Sequence, residues 1–433
     1  MLGWQILSKG DYLLELPILS NEEKEIVIET QERYKHATRE YENREDLIEK
    51  IISSAAEEKG IFLDREQQNQ ISIIAKHHIQ GFAFMDLLIG DPEIEEISVI
   101  GPMKPVYVYE RNKGWKKVNA VFEDEKTIAE IINKMAREIG RHITLQNPRL
   151  DAMLADGSRM HASLPPVSKG EITIRKFRSR PFSPLELSKK GTLPADALAF
   201  LSLLMQSDSS VIIAGNTASG KTTTLNALFS FVPADERVII TEETPEINIP
   251  HRHQMRLVAN REMGISLKDL VYDSLRMRPD RMIVGEVRNK EETEALFDVL
   301  LAGQARGSYA TFHAQSVDEA VARLRSFGIR EMDLKTIDCI IIQRRMLSYE
   351  NKKNREIRRI VEIRDVEGNT DLLKNGRFAD ADKALEKIGS SLSLGKKEVK
   401  EELAKRKKII SRSPQEFDEF FQGFQNKIYG VNE

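Results

Sequence analysis

The residues that most directly specify chemistry lie in one run, Gly215-Asn216-Thr217-Ala218-Ser219-Gly220-Lys221-Thr222, which fits the spacing G-x-x-x-x-G-K-[ST]. An apolar, strand-like stretch at 211–214 precedes it, and a helical stretch opening at Thr223 follows. In a loop of this kind backbone amides wrap phosphates and the lysine, here Lys221, reaches the β and γ oxygens. The hydroxyl after it, Thr222, ligates magnesium, and the start of the next helix adds a potential favourable to anions. The expected ligands are ATP and Mg2+, with Gly215 to Thr222 and Thr223 as the contacting set.

Binding does not by itself cleave a phosphoanhydride. In an open parallel sheet the chemistry gathers at the carboxyl ends of the strands, so carboxylates are sought there. The apolar run 282–284 leads into Gly285-Glu286, which places Glu286 to share in the magnesium shell or to polarise an attacking water. The run 238–241 leads into Glu242-Glu243-Thr244-Pro245-Glu246, where the proline halts the element and leaves several acids at the sheet edge. His313 follows the run 308–312 at the same edge, the place of a γ-phosphate sensor. A surface glutamate or a lone histidine is ordinarily solvated or structural, and it is their convergence on one phosphate loop that gives these residues weight. His251 and His253 flank Arg252 without further ligands, so no metal site is expected there, and His77-His78 reads as helix surface.

The elements that must position these groups alternate. Short apolar runs at 211–214, 238–241, 282–284 and 308–312 are separated by helical stretches, the pattern of a parallel α/β sheet. Ahead of it, 20–79 is rich in Glu, Lys and Gln with apolar positions at helical spacing; Gly60 marks a helix end, and Asp64 with Gln67 a capping pair. Between Asp91 and Arg180, β-branched and aromatic runs at 96–100, 106–109 and 171–177 indicate a small α+β domain, with Asp156-Gly157 at a hairpin turn. Pro181 and Pro184 mark a linker. After about Asp365 the chain is expected to be polar and helical, ending in a stripe of Phe417, Phe420, Phe421, Phe424 and Ile428 that packs on its own domain. The expected domains are a helical extension over 1–80, an α+β domain over 81–183, the ATPase domain over 184–365 and a helical region over 366–433.

Composition limits the alternatives. The 433 residues exceed what one core normally supports, and 40% hydrophobic with 31% charged residues is an ordinary globular balance. A net charge of -3 provides no global basic field for nucleic acid. The sole cysteine, Cys339, excludes an internal disulfide and a four-cysteine zinc site and fits a reducing cytosol. No apolar stretch approaches the roughly 20 residues that span a bilayer, and the start at Met1-Leu2-Gly3-Trp4-Gln5 does not read as a leader, so a cytoplasmic, peripherally membrane-associated chain is expected. There is no internal repeat or low-complexity tract.

Taken together, the phosphate loop, the segment Ile240 with Thr241-Glu242-Glu243-Thr244-Pro245-Glu246-Ile247, Arg278-Pro279-Asp280 before Ile283-Val284-Gly285-Glu286-Val287-Arg288, and Ala310-Thr311-Phe312-His313-Ala314 resemble the type II/type IV secretion ATPase superfamily. So do Pro148-Arg149-Leu150-Asp151, Asp156-Gly157-Ser158-Arg159 and Thr173-Ile174-Arg175-Lys176-Phe177. The resemblance covers residues 86–363. It implies a RecA-like motor domain behind a PAS-like α+β domain, assembled as a hexameric ring that works on a polytopic inner-membrane platform protein. It also implies that Glu242 and Glu243 lie in the Asp box, that Glu286 is the Walker B glutamate followed by Arg288, and that His313 is the His-box histidine. Arg159 and Arg175, with Arg149 as a weaker counterpart, would complete the ATP site as the two domains close. Two departures stand out: Glu243 occupies a position commonly held by aspartate, and the upstream His-box histidine is missing from Gly303-Gln304-Ala305-Arg306-Gly307. Without a tetracysteine insert, the chain looks closer to the archaeal pilus, archaellum or tight-adherence branches. Two rivals share the phosphate loop: a nucleotide-dependent switch with negligible turnover, and a nucleic-acid translocase, which the mild acidity disfavours.

Overall fold

Strands that bury every second residue build the first of two units. The computed structural model describes residues 2–37, 44–111, 113–178, 180–260, 263–350, 353–374, 376–378 and 382–431, and the chain divides into residues 1–178 and 179–433. The first unit runs β1 (Trp4–Ile6), α1 (Asn21–Ala37), α2 (Arg44–Glu58), α3 (Arg65–Ile79), α4 (Met85–Gly90), β2 (Ile94–Val99), β3 (Pro105–Glu110), β4 (Gly114–Phe122), α5 (Glu125–Glu138), β5 (Arg149–Met153), β6 (Arg159–Ser163) and β7 (Glu171–Arg175). Its strands form one antiparallel sheet in the order β1-β4-β3-β2-β7-β6-β5.

The apolar stripes of the N-terminal helices, among them Ile26, Ile48, Ile52 and Ile74, enter the same core as Ile97, Val108 and Ile174 of the sheet. Asp64 and Gln67 form the capping box that opens α3. Gly157, at φ +83°, turns the β5–β6 hairpin. The pair His77-His78 corrects the surface reading. His77 Nδ1 lies 2.9 Å from Asp86 Oδ2, and His78 sits between the Trp4 indole nitrogen at 3.3 Å and Gln31 Oε1 at 3.2 Å. Burial pushes the His78 pKa down to about 4. The covering residues come from β1 and α1, far along the chain, so helical spacing gives no sign of them.

The second unit begins with α6 (Pro184–Lys189) and α7 (Ala195–Gln206). It continues through β8 (Val211–Gly215), α8 (Lys221–Leu228), β9 (Val238–Glu242), β10 (Gln254–Val258), α9 (Leu267–Ser274), β11 (Arg281–Val287), α10 (Lys290–Ala302), β12 (Gly307–Phe312), α11 (Val317–Ser326) and α12 (Glu331–Leu334). The sheet order is β10-β9-β11-β12-β8, all parallel, and the strand carrying Glu286, β11, is separated from the phosphate-loop strand β8 by β12. Side chains alternate between two cores: Ile213, Ile240, Ile283 and Tyr309 on one face, Ile212, Met282, Val284 and Phe312 on the other. Burial on both faces is why these strands read as continuous apolar runs.

The sheet then continues through β13 (Cys339–Glu350), parallel to β8, and antiparallel β14 (Lys353–Asp365), β15 (Thr370–Lys374) and β16 (Arg377–Phe378). Only 339–343 of β13 pair with β8, so the rest of the β13–β14 ladder continues past the end of β8 as a two-stranded ribbon. The region after Asp365 therefore adds two strands before its helices, a correction to the purely helical expectation. Leu372 and Leu373 of β15 are buried. The helices α13 (Asp382–Ser391), α14 (Lys396–Ser411) and α15 (Phe417–Tyr429) follow. They pack on their own unit: Phe420 and Phe424 lie 5.9 and 5.0 Å from the Phe231 ring, and buried Arg406 donates to the Ser202 carbonyl at 2.9 Å. Phe417 and Phe421 are buried as well, and Ile428 is half-buried.

Candidate functional site

The site starts from a loop forced into an unusual shape. Between β8 and α8 the backbone takes positive φ at Ala218 (+59°) and Gly220 (+93°). Gly215 cannot carry a side chain, because a Cβ there would stand 2.0 Å from the Gln343 carbonyl oxygen and 2.5 Å from Ser219 Oγ. Helix α8 opens at Lys221 behind Gly220, with no side chain capping its first amides. Those amides and the helix dipole are thus free for an anion.

Lys221 is buried, its ammonium 3.6 Å from Glu286 Oε1 and 3.5 Å from the Gly215 carbonyl oxygen. Burial lowers its pKa, and the Glu286 charge opposes that shift. Glu286 is the hub of the cluster. Its Oε1 lies 2.9 Å from His313 Nε2, and its Oε2 accepts from Arg288 Nε at 2.7 Å. Arg288 also donates to Glu243 Oε2 at 2.6 Å. Burial would push the Glu286 carboxyl up, but the hydrogen bonds from His313 and Arg288 and the nearby Arg288 and Lys221 charges outweigh it and bring it down to about 2. Glu286 is therefore ionised at any working pH, suited to attract a water proton or a cation rather than to donate a proton.

Register explains how separated residues meet. β11 and β12 run parallel with Val284 beside Ala310 and Val287 beside Phe312, a shift that accommodates Gly285-Glu286 in a bulge. Glu286 and His313 thereby emerge at one end of adjacent strands. The Thr311 hydroxyl donates to the Gly285 carbonyl at 2.6 Å, tying the two strands there. Arg323 of α11 donates to the His313 carbonyl and stacks 5.1 Å over the Phe312 ring.

Glu242 faces elsewhere. It is buried, and its Oε1 accepts from the Glu246 and Ile247 amides at 2.7 and 2.8 Å, with Arg256 Nε 3.3 Å from Oε2. Burial raises its pKa to about 7 against the backbone donors and Arg256, which hold it down. This carboxyl shapes the turn through Pro245, and the turn delivers Glu246, whose Oε2 accepts from the Thr222 hydroxyl at 3.3 Å. Glu246, one of the several acids the sequence places at this sheet edge, is thus the one that meets the expected magnesium ligand. The hydroxyl of Thr222 and the carboxylates of Glu246 and Glu286 are hard oxygen donors, a set that fits Mg2+, which takes few protein ligands and completes its shell with phosphate and water. Among the described residues no cluster of three or more His, Cys, Asp or Glu is arranged to hold a metal alone. His251, buried with its Nε2 3.0 Å from the Pro233 carbonyl, has a pKa lowered by burial to about 4 and a structural place.

Arg159 and Arg175 belong to the first unit, where they stand directly opposite each other across β6 and β7, both exposed. Arg159 has Asp151 Oδ1 at 3.6 Å, and Glu96 is the cross-strand neighbour of Arg175 on its other side. Arg149 opens β5 opposite Ser163, also exposed.

A family model described as Type II/IV secretion system protein matches residues 80–411. An uncharacterized protein of Methanocaldococcus jannaschii is 31% identical over 361 residues, 77% of this chain; the chain spans 64% of that relative, less than two thirds of its length. The type IV secretion system protein VirB11 of Bartonella henselae is 29% identical over 244 residues, 46% of this chain and 67% of the relative. Among solved structures, the ATPase DotB of Legionella pneumophila aligns over 81% of this chain and 92% of its own, with 18% identity and a TM-score of 0.49.

Proposed function

The chain belongs to the type II/IV secretion system protein family, and from that premise we propose that it is the ATP-hydrolysing motor of a secretion, pilus or archaellum machine. It works as a homo-oligomeric ring, in the proposal a hexamer, on the cytoplasmic face of a polytopic membrane platform protein, with no nucleic-acid partner. Among the described residues no helix is long and apolar enough to cross a membrane, so in this reading the partner supplies the attachment.

The observation that carries the proposal is the convergence on Glu286, with Lys221 3.6 Å and His313 2.9 Å from the same carboxylate oxygen. Lys221 is buried beside a counter-ion, which avoids an unpaired buried charge. In the proposed reaction the β and γ phosphate oxygens of ATP take over that role. Glu286, ionised, then orients a water toward the γ phosphorus, and His313 reports whether the γ phosphate is present. Arg288 bonds both Glu286 and Glu243 and offsets the repulsion between the two acids. Thr222, whose hydroxyl bonds Glu246, and Glu286 would hold the magnesium ion, which would supply charge neutralisation on the phosphate oxygens. Arg159 and Arg175 bring positive charge to the transferring phosphoryl group, a contribution of about 10³ to 10⁵ in rate where arginine is supplied this way.

The test is phosphate release from ATP by the full chain across a protein dilution series, with and without Mg2+, alongside sedimentation. The proposal expects magnesium-dependent turnover whose rate per chain rises as the ring assembles. A rate per chain that is constant across the series, with monomers throughout, would contradict the ring. Nucleotide binding with no phosphate release at any concentration would favour a switch.

A further inference from the structure

We infer that Gln343, on the strand flanking the phosphate loop, is a positioning residue that aims the Gly220 amide at the nucleotide phosphates. The inference rests on reading the loop as the ATP site, and it adds a residue from outside every motif that suggested that reading.

Ser219 C=O and Gly220 N–H belong to one trans peptide, so they point in opposite directions. The Gln343 carboxamide donates to the Ser219 carbonyl at 2.8 Å. Pinning that oxygen against β13 turns the Gly220 amide the other way, away from the strand and into the hollow of the loop. A positive φ at Ala218 and Gly220 persists only where the surroundings hold it, and β13 and β14 hold this loop at three places. Gln343 is buried and grips Ser219. Asn216 inserts its side chain where the β8–β13 ladder ends, accepting from the Arg345 amide at 2.9 Å and donating to the Arg345 carbonyl at 3.2 Å. The stem of Arg358 packs by Gly220, with Cδ 3.8 Å from where a Cβ would be.

Gln343 stands where the sheet becomes irregular. The β13–β14 register slips between Ile342, paired with Glu362, and Gln343, paired with Ile360. The extra residue is Val361 of β14, so the ribbon twists more strongly opposite Gln343, and bulges of this kind recur beside active sites. The close fit extends to the glycines: Gly215 leaves no space for a Cβ beside the Gln343 carbonyl, and a Cβ on Gly220 would meet the Gln343 amide nitrogen at 3.0 Å.

The deciding experiment is calorimetric titration of the full chain with ATP and with ADP in Mg2+, comparing wild type with Gln343→Met, which keeps length and volume but donates no hydrogen bond. Gln343→Ala is measured in parallel. Losing one aimed amide is expected to weaken ATP and ADP alike by about tenfold. The turnover number at saturating ATP should stay within about twofold, because Glu286 and His313 are untouched. A lower melting temperature without nucleotide, combined with wild-type affinity for both nucleotides, would reduce Gln343 to a packing residue and overturn the inference. So would a loss confined to turnover number. If the wild type itself binds neither nucleotide, the ATP-site reading fails, and this inference fails with it; if the wild type binds and Gln343→Met binds equally well, this inference alone fails.

Discussion

Single residues in this site divide into those that meet the reaction and those that hold others in place, and the two groups respond differently to pH and mutation. Glu242 belongs to the second group. Its raised pKa means that the folded chain holds a proton that the unfolded chain has lost between about pH 4.5 and 7. The folded state is then penalised progressively as pH rises through that window. Glu242→Gln removes the titration, so its unfolding free energy relative to wild type should climb by on the order of 3 kcal/mol from pH 4.5 to 8, a trend that denaturant melts at several pH values would detect. A flat difference would show that Glu242 titrates normally. Glu286 behaves oppositely. Its depressed pKa stabilises the fold above about 4.5, and that contribution is lost only as pH falls toward 2. The loop acids and Glu286 were legible in the sequence because each follows an apolar run that reads as a strand. What remained hidden was the division of labour, since only the folded turn reveals that Glu242 accepts from two amides while Glu246 reaches Thr222.

Secondary-structure elements were legible where their burial leaves a pattern in the sequence. The parallel strands β8, β9, β11 and β12 are buried on both faces and read as apolar runs, and α3 begins at a capping box visible in the sequence. The outer part of the β13–β14 ribbon did not read as strand. There Arg344 faces Arg359 and Arg345 faces Arg358, and the polar character of both faces conceals the period of two. Gln343, where the apolar half of β13 meets the charged half, accordingly carries no signal in the sequence. The phenylalanine stripe of α15 read as a packed face, and Phe424 is fully buried against Phe231. Phe424→Ala should cost about 3–5 kcal/mol of stability, measurable as a lower denaturant midpoint. A cost below about 1 kcal/mol would mean that α15 is not part of the core.

At the scale of the whole molecule, Arg159 and Arg175 belong to one unit and the phosphate loop to the other. Two like charges directly opposed across antiparallel strands destabilise a sheet, so Arg159 facing Arg175 is an arrangement that stability alone does not favour. The account predicts that Arg175→Gln leaves the melting temperature unchanged or slightly higher while phosphate release falls by about 10³ or more. Equal losses of stability and activity would instead make the pair structural. The most direct measurement for the central claim compares wild type with Glu286→Gln, reading nucleotide affinity and phosphate release on the same samples. The account predicts ATP affinity within a few-fold of wild type and phosphate release reduced by at least about a hundredfold, whereas a Glu286→Gln protein that hydrolyses ATP at the wild-type rate would contradict it.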